Sequence, residues 1–205
     1  MKEENKINIK ELTQEELEEY IESLKEKKFH AKQIFKWLHR YNVESFDYMT
    51  DISKSLREKL IEKTYIPKLE IITVQESKKD GTKKFLIRLD DNNAIETVFM
   101  VYNHGNTICV STQVGCKMGC KFCASTKEGF VRGLLASEIE GQIHVVEKYT
   151  NEKISNVVYM GIGEPLDNYD NVVKSIRLIN NKEGLGIGAR HISLSTCGLV
   201  PNIYR

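Results

Sequence analysis

The 205-residue sequence sets 30 Lys and Arg against 29 Asp and Glu, a net charge of +1. Bulk charge therefore advertises no polyanionic partner, and any nucleic-acid contact must come from local clusters. With 40% hydrophobic and 29% charged residues, the composition is that of a soluble globular chain with enough length for one large domain or two small ones. The amino-terminal MKEENKINIKEL has no apolar targeting region, and no stretch approaches a membrane span. Cysteines crowded at one place read as metal ligands in a reducing cytoplasm, not as a disulfide framework.

In chain order, Thr13 and Glu16 form a capping-box pattern ahead of Leu17, Tyr20, Ile21 and Leu24 at helical spacing. A second helix is predicted from about His30 to Arg40, with Ala31, Ile34, Phe35 and Leu38 as its apolar face. Lys28, Lys32, Lys36 and Arg40 recur every fourth residue and make one basic stripe, near aromatic Phe29, Trp37 and Tyr41. Such a stripe suits a phosphate backbone, and it suits a solvated helix face equally well. A third helix around Ser53 to Lys63 completes a small helical domain. From Leu69 the period changes to two. The segments 69–75, 83–89 and 94–100 read as antiparallel strands, separated by turns at Asp80-Gly81 and Asp91-Asn92-Asn93.

After residue 106 strands alternate with helices. A strand is predicted over 107–113, a Gly-rich loop over 115–133, and a helix from Ser137 with Glu140 as a second capping box. That helix buries Ile139, Ile143, Val146 and Tyr149. A strand over 154–161, a helix over 171–180 and a strand from His191 to Thr196 follow, the pattern of βαβ units on a parallel sheet. Strand parity puts Ile108 and Val110 on one face and Cys109, Ser111 and Gln113 on the other; Ile192 and Leu194 likewise oppose Ser193 and Ser195. An apolar outer face and a polar inner one would suit a partial barrel holding a ligand, with its site at the carboxyl ends of the strands.

The chemistry concentrates between Cys109 and Cys123. Cys116, Cys120 and Cys123 have the spacing C-x3-C-x2-C on a glycine-containing loop. Three thiolates at this spacing suit an iron–sulfur cubane that keeps one iron without a protein ligand. A zinc knuckle would need a fourth donor, from His104, His144 or His191. An electron-transfer ferredoxin is disfavoured, because it spends four cysteines per cluster. Gly161-Ile-Gly-Glu-Pro165 follows a nearly continuous apolar strand. Its glycines allow close backbone approach, and its carbonyls and Glu164 can accept hydrogen bonds from an ammonium.

The runs CVSTQVGCKMGCKFCAST, VVYMGIGEPLDN and HISLSTCGLVP resemble the RlmN/Cfr family of radical-AdoMet RNA adenine methyltransferases, on its RlmN side. The resemblance implies an α/β fold. Its parts would be an amino-terminal helical accessory, RNA-binding domain (1–66), an antiparallel β segment (67–101), and the first half of a radical-SAM partial (β/α)6 barrel (102–205). It implies a [4Fe–4S] cluster on Cys116, Cys120 and Cys123, and S-adenosyl-L-methionine (AdoMet) held by Gly163, Glu164 and Ser195. Cys109 would be the resolving thiol, which frees the product by forming a disulfide, and Glu96 the proton acceptor. The implied reaction adds a methyl to adenine C2 of 23S rRNA and of a tRNA anticodon loop, through a methyl-cysteine, with an electron donor such as flavodoxin. The implied enzyme is a cytoplasmic monomer when full length.

A C8-directed relative is the alternative within the class, and a non-catalytic zinc RNA-binding module the alternative outside it. No cysteine follows Cys197, which is not assigned the methyl-carrier role, and three of six β/α units are present. The chain is therefore expected to be the amino-terminal part of a longer enzyme, unable to methylate RNA alone.

Overall fold

The computed structural model describes residues 6–126 and 129–205. It resolves into two compact units. One comprises the chain up to Lys68 together with Arg177–Gly186, the other Leu69–Ile176 together with Ile187–Arg205.

In the first unit two short strands, β1 (Ile7–Asn8) and β2 (Thr64–Tyr65), pair in parallel. Three helices lie between them in sequence: α1 (Gln14–Ser23), α2 (Phe29–His39) and α3 (Lys54–Lys63). The α1 capping box forms as read, with Thr13 N–H donating to Glu16 at 2.7 Å and Glu16 N–H to Thr13 Oγ1 at 3.3 Å. Ser53 caps α3 by accepting the Leu56 N–H. Leu17, Ile21, Ile34, Phe35, Leu38, Leu56 and Leu60 are fully buried, each contributing about 1.5–3 kcal/mol of apolar burial. The basic stripe on α2 is largely engaged within this unit. Lys28 pairs with Glu22 at 3.2 Å, Lys32 with Glu183 at 3.0 Å, and Arg40 donates to the Lys182 carbonyl at 2.6 Å. Lys36 sits over the Tyr41 ring.

The second unit is built on a six-stranded mixed sheet, whose strands are β3 (Glu70–Glu76), β4 (Lys83–Arg88), β5 (Ala94–Met100), β6 (Thr107–Cys109), β9 (Asn156–Tyr159) and β10 (Ile192–Leu194). Their order is β10-β9-β6-β5-β4-β3. The three carboxyl-side strands are parallel, and β5 joins them antiparallel to β6, so the expected antiparallel segment and parallel sheet are continuous. β3 and β10 are the edge strands, β3 on the antiparallel side. A register shift between Ile71 and Thr73 breaks the alternation of β3 and leaves Ile72 exposed. Helix α4 (Ala136–Thr150) leads into β9, and α5 (Tyr169–Asn180) follows a 3-10 turn at Pro165–Asn168.

Three local readings are corrected. The strand expected over 107–113 stops at Cys109, because Ser111 turns its backbone away from the sheet. Its N–H donates to Gln142 Oε1 at 2.8 Å, and its carbonyl accepts from Gln142 Nε2 at 2.9 Å. The segment 115–133 is not all loop. A separate hairpin forms from β7 (Gln113–Gly115) and β8 (Phe130–Gly133), while residues 127–128 within it lie outside the described residues. Helix α4 begins before Ser137. Its first turn is closed by Glu138, which accepts the Leu135 N–H, while Ser137 and Glu140 are buried inside it. Ile139, Ile143 and Val146 face the core as read, but Tyr149 is 54% exposed, edge-on to Phe85.

Candidate cluster and cofactor site

Cross-strand register decides which side chains share the inner face of this sheet. Val98 pairs with Cys109, Cys109 with Val158, and Val158 with Ser193, and directly paired residues point the same way. Stepping by two adds Glu96, Met160 and Ser195 to that face. The opposite face carries Ile95, Thr97, Phe99, Ile108, Val157 and Tyr159, all at or below 2% exposure against the helices. The parity read from the sequence is thus realised, with Ile108 and Val110 both fully buried.

At the carboxyl end of this face the β7–β8 hairpin launches the cysteine loop. A Cβ at Gly115 (φ +71°) would lie 1.9 Å from the Gly129 carbonyl oxygen, so only glycine lets the hairpin close there. Immediately after it, the Cys116 N–H donates to that same carbonyl at 2.8 Å. The Cys123 N–H returns to the Cys120 carbonyl, and Thr126 Oγ1 donates to the Cys123 carbonyl. These bonds gather Cys116, Cys120 and Cys123 on the wall of a cavity of about 350 Å³.

The facing wall is the Gly161–Pro165 turn after β9 and the segment after β10; Gly163, Glu164 and Ser195 all line the same cavity. Gly163 has φ +106°, and a Cβ there would lie 2.6 Å from the Gln113 side chain. Glu164 is 3% exposed. Its Oε1 accepts from Leu166 N–H at 2.8 Å and Thr196 Oγ1 at 2.6 Å, and its Oε2 from Cys197 N–H at 2.7 Å. Burial works to raise its pKa, but the bonds from Thr196, Cys197 and Leu166 prevail and hold it below the ordinary carboxylate range. The same carboxylate, with burial added, pushes the Cys197 thiol up to about 11.

Glu96 and Cys109 stand on the inner face but outside that cavity. Glu96 lines a second cavity of about 510 Å³, whose wall includes Val114, Ala124, Ser125 and Ile162; Ser125 belongs to both cavities. Lys84 Nζ donates to Glu96 Oε1 at 2.8 Å, and Ser111 Oγ donates to the Glu96 carbonyl at 2.6 Å. Burial raises the Cys109 thiol pKa, opposed by a backbone bond from Met160. All five cysteines are free, so the disulfide expected of Cys109 is not present here. The cysteine to which the resemblance assigned the methyl-carrying role is not in this sequence.

Sequence reading put Gln113 on the polar face but gave it no role, and it missed Gln142, Asp167 and Thr196. The signal for Gln142 was a polar side chain where the helical pattern called for an apolar one. Gln142 is fully buried on the core face of α4 and also accepts from Thr97 Oγ1.

The donor set fits a cluster with AdoMet beside it. Three thiols and a carboxylate kept ionised share one cavity, with glycine backbone open to a ligand. Among the described residues no three His, Cys, Asp or Glu side chains converge to hold a single metal ion. The histidines weighed as a fourth zinc ligand are placed elsewhere. His104 stacks on Tyr102, His144 lies 3.6 Å from Glu140, and His191 bonds Asn156.

Comparison with known proteins agrees with this geometry. Residues 110–205 match the family model described as "Radical SAM superfamily", and residues 7–66 the one described as "Ribosomal RNA large subunit methyltransferase N-terminal domain". A crystal structure of a radical SAM methyltransferase from Sphaerobacter thermophilus is similar at TM-score 0.85 and 36% identity, covering 96% of this chain and 59% of that one. The fold is the mixed α/β fold of that radical SAM methyltransferase.

Two relatives are each named "Probable dual-specificity RNA methyltransferase RlmN". The one from Clostridium novyi (strain NT) is 54% identical over 96% of this chain and 57% of its own length. The other, from Clostridium perfringens (strain 13 / Type A), is 55% identical over 96% and 56%. The chain is similar to these RlmN relatives, and it spans a little over half their length. Among the described residues no helix is long and apolar enough to cross a membrane.

Proposed function

We propose that this chain carries the cluster-binding and AdoMet-binding half of a radical-AdoMet methyltransferase acting on adenine C2 of large-subunit ribosomal RNA and of transfer RNA. The supporting observation is the convergence of Cys116, Cys120 and Cys123 with Gly163, Glu164 and Ser195 on one cavity. With the cluster bound, one-electron cleavage of AdoMet becomes available, which an adenine C2 requires because it is neither nucleophilic nor acidic enough for ordinary methyl transfer.

The protein groups divide the work by position. The three thiolates hold the cluster and leave one iron for AdoMet. Glu164 Oε2 accepts the Cys197 N–H and retains a further lone pair for an ammonium. Ser195 and the Gly163 backbone flank it. Glu96, oriented by Lys84 on the wall of the second cavity, takes the ring proton. Cys109 shares its face and serves as the resolving thiol; burial raises its pKa, so it must give its proton to a base before it attacks as thiolate. A reducing partner such as flavodoxin supplies the electron, in the cytoplasm.

With no cysteine after Cys197 and the Cys197 thiol committed to Glu164, no residue here is assigned the methyl-carrying role. The test is anaerobic incubation with AdoMet, a reductant and ribosomal RNA. Methionine and 5′-deoxyadenosine should form without methylated adenine. A loaded protein that leaves AdoMet intact, or one that yields C2-methyladenine by mass spectrometry, would contradict the proposal. A C8-methylated product would contradict it equally, and would favour the alternative regiochemistry.

A further inference from the structure

A polar path that none of these roles uses joins the cysteine loop to the glycine-rich turn. Lys117, next to Cys116, pairs through Nζ with Asp167 Oδ1 at 2.9 Å. The other oxygen, Asp167 Oδ2, accepts from Gln113 Nε2 at 2.8 Å. Gln113, 1% exposed, then accepts the Glu164 N–H on its Oε1 at 3.0 Å. Asp167 closes the circuit by donating its own N–H to the Glu164 carbonyl.

Each amide and carboxylate here has a defined direction. Gln113 accepts from the turn and donates to the carboxylate, and the carboxylate faces a cation on the loop. Flipping the Gln113 amide would set its NH2 against the Glu164 N–H and its oxygen against the Asp167 carboxylate. The Gln113 backbone is fixed as well, because its N–H donates to the Ile162 carbonyl inside the turn.

We propose that Asp167, with Gln113 and Lys117, forms a positioning relay that sets the spacing between the cysteine loop and Glu164, and thereby the affinity for AdoMet. The inference rests on the cofactor reading above. A ligand that must reach one iron on the loop and the carboxylate of Glu164 at the same time is sensitive to the distance between them. A cluster held by the loop alone is not. The relay should therefore act on AdoMet binding and spare cluster loading. Asp167 and Gln113 act through Glu164 and the loop, and are positioning residues.

The test compares anaerobically reconstituted wild type, Asp167→Asn, Lys117→Met and Lys117→Arg. Iron content is measured, and AdoMet is titrated against the electron paramagnetic resonance spectrum of the reduced cluster. Asp167→Asn keeps size but sets an amide NH2 against one of its two donors, Lys117 or Gln113; Lys117→Met keeps length on a half-exposed side chain and removes its charge.

Both should load iron as wild type does and need about tenfold more AdoMet for the spectral change. Lys117→Arg, which keeps the ion pair, should stay within about twofold. Asp167→Asn and Lys117→Met titrating like wild type would overturn the relay alone. So would iron loss in proportion to lost affinity, which would mean a merely structural role. Wild type that shows no AdoMet-dependent change would overturn the cofactor reading itself, and the relay with it.

Discussion

Glu164→Gln isolates the clamp that joins the two segments forming the facing wall of the cofactor cavity. In the wild type one carboxylate accepts from the Leu166 N–H, the Thr196 hydroxyl and the Cys197 N–H. In the variant a single oxygen can serve Leu166 and Thr196, but the amide nitrogen then faces the Cys197 N–H, donor against donor. Losing a charge-assisted bond there costs about 1.5–3 kcal/mol, equivalent to roughly tenfold to a hundredfold in a local opening equilibrium. Hydrogen exchange reads this at the Cys197 amide, with the amides of Phe85 to Ile87 in the sheet core as the internal control. Exchange should accelerate by that factor at Cys197 and stay unchanged in β4.

Proton linkage gives a second reading of the same carboxylate. Its folded pKa lies below the ordinary value, so its stabilising effect is complete above the ordinary carboxylate range and is lost as pH falls through the folded value. Wild-type protection at Cys197 should fall on that acid side, and the variant should lack this limb. Equal exchange in the two proteins at neutral pH would refute the clamp.

Arg132→Met removes the link among Asp91, Arg132 and Glu138, where the guanidinium makes two bonds to Glu138 and one to Asp91. Because the Glu138 side chain is only 8% exposed, the loss should cost about 2–3 kcal/mol and lower the melting temperature by about 5–10 °C; a fall under about 1 °C would contradict it. Asp91 is held down at about 2, where burial is outweighed by bonds from Arg132 and Asn93. Its contribution is therefore present above the ordinary carboxylate value and lost as pH falls toward 2, and the acid limb of the melting curve should shift upward in Arg132→Met. Gly163→Ala places a methyl 2.6 Å from the Gln113 side chain at φ +106°. Iron content should survive while the AdoMet-dependent spectral change is lost, and a variant titrating as wild type would show that the turn does not need its glycine.

Much of the site could be read from spacing, because spacing is what its chemistry fixes. A three-thiolate cluster needs its cysteines on one short loop, and Cys116, Cys120 and Cys123 stand on it. The inner and outer faces followed from a period of two, and Ile108, Val110, Ser193 and Ser195 fell where parity put them. What escaped was tertiary substitution for local pairing. The strand after Cys109 ends because Gln142, distant in sequence, supplies the hydrogen bonds a neighbouring strand would have made. The β7–β8 hairpin was hidden because Gly115, which read as loop, is the residue that lets the Gly129 backbone approach. The basic stripe on α2 was visible, but not that Glu22, Glu183 and the Lys182 carbonyl engage it.

The most direct measurement is iron and sulfide analysis of the anaerobically reconstituted protein, joined to paramagnetic resonance of its reduced form with and without AdoMet. A brown protein with one [4Fe–4S] cluster per chain, lost when any of Cys116, Cys120 or Cys123 is replaced and spectrally altered by AdoMet, is the result expected. Colourless protein carrying one zinc per chain, or a cluster whose spectrum AdoMet leaves untouched, would contradict it.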